Sequence, residues 1–169
     1  MKKLKLALIV LGLAIGSSSY AQLGNGQIRF WSSNLTNSTM GIDNIENMYG
    51  LGYRFSLLNL RVGIDLGMSK KDKNKDGINT DCTKYLIMPA VEINFINLGI
   101  INFYIAGNAG YMWSKYKYDD SSLKNVKDKE FAYQVSPLCA RIKLGPIGAF
   151  IECGYGHKGL ISGGITMKF

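Results

Sequence analysis

The chain has 169 residues, of which 47% are hydrophobic, 11% aromatic and only 19% charged; this fits one folded domain and excludes a large multidomain assembly and a highly charged disordered chain. Lys and Arg outnumber Asp and Glu by 20 to 12, a formal charge of +8. Mean hydropathy is +0.02, which suits a soluble domain and equally a membrane barrel, whose strands alternate an apolar outward residue with a polar inward one.

The first predicted element is a secretory signal peptide. Lys2, Lys3 and Lys5 precede an apolar run from Leu6 to Ile15, and the small residues Ser19 and Ala21 follow it, so cleavage is expected after Ala21. The run is too short for a helical anchor, which needs about 20 apolar residues, and no Cys follows the cleavage site to take a lipid. Removing residues 1–21 removes three lysines and lowers the formal charge to +5. No later stretch is long and apolar enough for a transmembrane helix, so residues 22–169 are expected to form a single exported domain, soluble or barrel.

Period-two alternation favours the barrel. Strands are predicted at 27–35, 48–57, 60–69, 83–95, 101–114, 130–144, 147–156 and 160–169, an all-β, eight-stranded antiparallel up-and-down arrangement. The clearest runs from Leu60 to Ser69, where Leu60, Val62, Ile64, Leu66 and Met68 alternate with Arg61, Gly63, Asp65, Gly67 and Ser69. About nine to eleven tilted residues cross a bilayer core, and this segment has that length. Tyr85, Ile87, Pro89, Val91, Ile93 and Phe95 likewise share one face of the fourth strand, against Lys84, Glu92 and Asn94. The sixth breaks phase: Phe131, Tyr133, Val135 and Pro137 face one way, but holding that register would put Arg141 and Lys143 toward lipid. A lipid-facing charge costs about 2–4 kcal/mol at the midplane, so a bulge is expected between Leu138 and Arg141.

The connections alternate too. Segments 36–47, 70–82 and 115–129 read as long polar loops, whereas 58–59, 96–100 and 145–146 are short; the turn at His157 and Lys158, on the long-loop side, is also short. Tight turns at the periplasmic end and long loops outside are the outer-membrane pattern. In this register Tyr49, Tyr85, Tyr111, Trp113, Tyr133 and Tyr155 fall near the outer ends of their strands, and Phe30, Phe55, Phe95, Phe103 and Phe169 near the inner ends. Two aromatic belts at opposite ends suit two lipid headgroup levels.

The strands Tyr85-Leu-Ile-Met-Pro89 and Tyr133-Gln-Val-Ser-Pro137, the segment Gly145 to Gly156 and the ending Ile161-Ser-Gly-Gly-Ile-Thr-Met-Lys-Phe169 resemble the small outer-membrane beta-barrel domain family, with the size and layout of OmpX-type and OmpA-type eight-stranded barrels. The resemblance implies residence in the outer membrane of a Gram-negative cell envelope, contact with its lipid and lipopolysaccharide, and insertion by the barrel-assembly machinery, with Phe169 as the assembly signal. It implies little about activity, since a fold does not fix a function.

The expected site is the lumen. Arg29, Arg54, Arg61, Asp65, Lys84, Glu92, Glu152 and Lys168 point inward in this register, joined by Arg141 and Lys143 after the bulge. Charges in a narrow lumen must pair or meet water, and eight strands leave an interior just wide enough for side chains. A structural charge network is therefore expected, with inward Gly50, Gly52, Gly63, Gly67, Gly154 and Gly164 making room for it.

A structural or surface-interaction barrel without a cofactor is the expected function, its loops contacting lipopolysaccharide or a surface or host ligand. A narrow channel for small solutes is one alternative. An outer-leaflet lipid-modifying enzyme is another, resting on His157, Ser162 and Glu152. Asp72-Lys-Asn74-Lys-Asp76-Gly77 matches the first half of a calcium loop, with Asp81 the only later carboxylate; Thr83 stands where the closing Glu would be. Lys115, Lys117, Lys124, Lys127 and Lys129 in the last long loop suit phosphates, although Asp119, Asp120, Asp128 and Glu130 interrupt them. Cys139 and Cys153 are expected to act as small lipid-facing residues. Nothing suggests nucleic acid.

Overall fold

The computed structural model describes residues 26–36, 45–75, 78–118 and 126–169. The expected signal peptide and its cleavage point lie outside the described residues. Eight strands follow in order: β1 Gly26–Thr36, β2 Ile45–Leu57, β3 Leu60–Lys75, β4 Ile78–Leu98, β5 Ile101–Tyr118, β6 Val126–Leu144, β7 Ile147–Gly156 and β8 Ile161–Lys168. Each pairs antiparallel with its sequence neighbours, and β1 pairs with β8, which closes the barrel. Closure leaves no open edge where the ring is complete, as a lipid environment demands.

The pleat sorts the residues as the alternation predicts. Ile64, Leu66 and Met68 are exposed on the outside of β3, while Asp65 and Ser69 are buried inside. Tyr49, Tyr85, Tyr111, Tyr133 and Tyr155 ring one end of the outer surface, and Phe30, Phe95 and Phe169 are exposed toward the other. Neighbouring belt rings touch: Tyr111 meets Phe131 edge-on at 6.2 Å, and Tyr133 lies 6.5 Å from Tyr155. The exterior is thus apolar and the interior charged, the reverse of a soluble protein.

Two elements depart from the prediction. The bulge in β6 comes earlier than expected: Val135 pairs with Tyr155 and Leu138 with Cys153, so three steps on β6 meet two on β7. The register against β5 shifts at the same place, with Ser136 opposite Ala106 and Cys139 opposite Tyr104. Pro137 sits at the irregularity, where its missing N–H removes no ladder bond. The phase reset turns Cys139 into the lumen, correcting its assignment to the lipid face. Cys82, Cys139 and Cys153 are all free thiols. A second, unanticipated bulge in β4 lies between Asn94 and Ile96, and leaves Phe95 and Ile96 both facing out.

Residues 70–75 and 78–82 are strand rather than loop. The β3–β4 ladder continues from Lys70 opposite Thr83 to Lys75 opposite Ile78, and β5 and β6 pair as far as Tyr116 opposite Val126. Beyond the bilayer both faces of a sheet are solvated, so pairing persists although hydrophobic alternation stops. β4, at 21 residues, is about twice the length needed to cross the core.

At the other end the turns are tight. Gly99 and Gly145 take φ of +75° and +68°, and Leu58 takes φ of 56° between β2 and β3.

Candidate functional site: a buried ion network in the lumen

Three carboxylates organise the interior. Glu92, on β4, meets three guanidinium groups: Arg29 from β1, Arg54 Nε from β2 at 2.6 Å and Arg141 Nη2 from β6 at 2.5 Å. Glu152, on β7, accepts from Arg29 Nη2 at 2.5 Å, the Tyr104 hydroxyl at 2.9 Å, Lys158 Nζ at 3.1 Å and the Ser162 hydroxyl at 3.3 Å. Asp65, on β3, accepts from Arg54 Nη2 at 2.9 Å, Asn108 Nδ2 at 2.8 Å and Lys158 Nζ at 3.2 Å. All of these charged side chains are almost completely buried. Charge-assisted bonds of this kind are stronger than neutral ones.

Aromatic faces complete the packing. Arg29 lies 3.7 Å over the Phe150 ring, Arg141 lies 4.3 Å over Tyr104, and Lys158 Nζ is 4.8 Å from Trp31. Glycine makes space for the largest of these. A Cβ on Gly50 would come 2.3 Å from the Trp31 indole, and one on Gly63 would come 1.8 Å from the Tyr53 carbonyl oxygen. Both approaches are too close for any side chain.

The expected lumen residues divide into three groups. Arg29, Arg54, Asp65, Glu92, Arg141 and Glu152 come together in one network. Arg61 is partly buried at its edge, bonding Gln27 Oε1 at 3.2 Å and standing 4.0 Å from Glu92. Lys84 lies half-buried, above that network. Lys168 is exposed at the short-turn mouth, because β8 ends there and the side chain reaches water. Phe169 is exposed on the belt near that mouth.

Lys158 was missed by sequence reasoning, which placed it in the outer turn. It is fully buried between Asp65 and Glu152. Gly156 and Gly159, with φ of +139° and +88°, fold the chain back over the lumen. Gln134 fixes that return, accepting from the Lys158 backbone N–H at 2.9 Å and donating to the Gly159 carbonyl at 3.0 Å. The available signal was the pair of glycines bracketing His157 and Lys158.

The enzyme residues are separated. Ser162 faces the lumen on Glu152, whereas His157 lies on the outer belt against the Tyr133 ring, 5.4 Å between centroids, and its Nδ1 accepts the Tyr133 N–H at 3.2 Å. A nucleophile and its base must share a hydrogen bond, and these do not. Of the calcium candidate only a part is described. Asp72 and Asn74 belong to the extended β3 and pair with Asp81 and Asn79 of β4, while Asp76 lies outside the described residues. Asp81 pairs with Lys70 at 3.9 Å.

A closed eight-stranded antiparallel barrel with an apolar outer band and a charged interior defines the fold as that of the small outer-membrane barrels. No family model and no curated protein matches the chain. Among solved structures it is similar to Ail, the attachment invasion locus protein of Yersinia pestis, in complex with the heparin analogue sucrose octasulfate. That match has 16% identity and a TM-score of 0.55, over 86% of this chain and 95% of that one. It is also similar to Neisserial surface protein A, at 12% identity and a TM-score of 0.60, over 86% and 97% of the two chains.

Proposed function

We propose that residues 22–169 form an outer-membrane barrel whose role is structural and interactive, holding a surface sheet clear of the lipid and contacting anionic groups there. One observation carries this reading: β4, β5 and β6 remain paired beyond the barrel ring, and their pleat separates the charges. The β2–β3 ladder ends at Tyr49 opposite Met68, and the β6–β7 ladder at Gln134 opposite Gly156. Above these levels the ring is no longer complete.

On the outer face of this projection Lys115 Nζ lies 5.0 Å over Tyr85, and Lys129 Nζ lies 4.1 Å over Tyr111 and 5.8 Å from Trp113. Lys127 shares that face by parity. Asp128 and Glu130 alternate to the other face, opposite the buried Ser114 and Met112. In sequence the acids dilute the lysines; in the sheet they do not. Cations just above an aromatic belt stand at the level of lipid phosphates, so lipopolysaccharide phosphates and related acidic polymers are the ligand class. Ail, seen with a sulfated heparin analogue, supports a polyanion for this fold.

The test is binding of purified lipopolysaccharide and of heparin to the barrel in neutral detergent. Exchanging Lys115, Lys127 and Lys129 together for Gln is expected to weaken binding at least tenfold at low salt. Unchanged affinity would remove this reading. The lipid-modifying alternative has no comparable observation, since His157 and Ser162 face opposite sides of the wall.

A further inference from the structure

We infer that the short-turn mouth of the lumen is a binding site for a small tetrahedral oxyanion of the phosphate class, held between Arg61 and Lys143 with Arg141 behind them. The charges along the barrel axis motivate this. Asp65, Glu152 and Glu92 neutralise the middle of the lumen, but the next inward positions toward the turns are Arg61, Lys143 and Lys168. No carboxylate side chain is among them. Two cavities, of about 150 and 230 Å³, open at this mouth; both are lined by Arg61 and Lys143, and neither by Asp or Glu.

The donors there are under-used. Arg61 Nε and Arg141 Nε and Nη1 are buried with no acceptor among the described residues. Arg141 is fully buried, and its single carboxylate, Glu92, is shared with Arg29 and Arg54. Arg61 and Arg141 approach the same oxygen, Glu92 Oε2, at 4.0 and 2.5 Å, so their guanidinium groups are neighbours. Lys143 lies two residues beyond Arg141 on the same face of β6 and makes no ion pair among the described residues.

Asn102 borders the same space. It is 3% exposed, lines the smaller cavity and sits across the ladder from Arg141, and its side-chain oxygen has no partner. A guanidinium and an ammonium that line both cavities match an anion with several acceptor oxygens. Arg29, Arg54, Arg61 and Arg141 share the one carboxylate of Glu92, so an added anion supplies acceptors for donors that Glu92 leaves unused. Gln27, Arg61, Lys143 and Thr166 line the larger cavity, whereas the smaller one also borders the outward Phe95 and Ile96; a soluble ion in the lumen is the assignment, and a headgroup phosphate is the alternative that the test separates.

The test titrates inorganic phosphate, and separately sulfate, into the folded barrel in a phosphate-free maltoside detergent, read by calorimetry. Saturable one-site binding is expected. Arg61→Gln and Lys143→Gln should each weaken it at least tenfold, while Lys70→Gln at the far end, where Lys70 pairs with Asp81, leaves it unchanged. Lys143→Gln removes no described contact, so it carries the test if Arg61→Gln does not fold. Absence of saturable binding, or equal affinity in Lys143→Gln, would overturn the site. Repeating the titration in phosphatidylglycerol nanodiscs separates the sources. Unchanged phosphate affinity is expected, and competitive loss would overturn the soluble-ion assignment in favour of a lipid phosphate.

Discussion

At the residue scale, Glu92 bears the largest share of the interior. Its two oxygens face three buried guanidinium groups from three strands. Removing one partner of a buried ion network leaves uncompensated charge and costs about 3–5 kcal/mol. Glu92→Gln is therefore expected to destabilise the barrel by about that amount in urea unfolding from micelles. Lys168→Gln, at the exposed rim, should change stability by less than about 0.5 kcal/mol. Equal losses for the two would show that the network does not hold the fold. Leu58 offers the opposite case. It is fully exposed and holds a left-handed φ of 56°, which strains a side chain by about 1–2 kcal/mol. Leu58→Gly relieves that strain without losing packing, and a gain of about 1 kcal/mol is expected in the same unfolding measurement.

At the element scale, every transmembrane strand was legible, because lipid outside and charge inside impose period-two alternation on each. What lay outside the bilayer was not. Lys70 to Lys75 carry no apolar alternation, yet they pair with Ile78 to Thr83, since backbone hydrogen bonding needs no hydrophobic face. The β6 bulge was legible in kind, from the position of Arg141 and Lys143, but its place depended on Pro137, whose lack of an N–H was the overlooked signal. Cys139 was misplaced for the same reason. Lys158 was illegible because its burial depends on the left-handed turn at Gly159 and on carboxylates of two distant strands. The bulge makes a direct prediction. Deleting Pro137 removes the one extra residue, so that unbroken alternation runs from Val135 to Leu144 with Arg141 and Lys143 still in the lumen. The deleted protein should therefore still show the folded, heat-modifiable gel species that the full-length barrel shows; loss of that species would mean that the bulge does more than set the phase.

At the scale of the whole molecule, the apolar and polar sets that cancel in the mean hydropathy lie on opposite sides of one closed wall. Outward Leu66, Met68, Ile151 and Ile165 are half-exposed, whereas Arg29, Arg54, Arg141 and Lys158 are sealed inside. Only a bilayer makes such an arrangement favourable, since exposed apolar surface of this extent drives association in water. The charged network spans the middle of the lumen. The decisive measurement is fractionation of cells expressing the full chain, combined with gel mobility before and after heating. Recovery in the outer membrane, with a faster-migrating folded form that slows on boiling, is the predicted result. Recovery in the soluble periplasm as a monomer with unshifted mobility would contradict a membrane-spanning barrel.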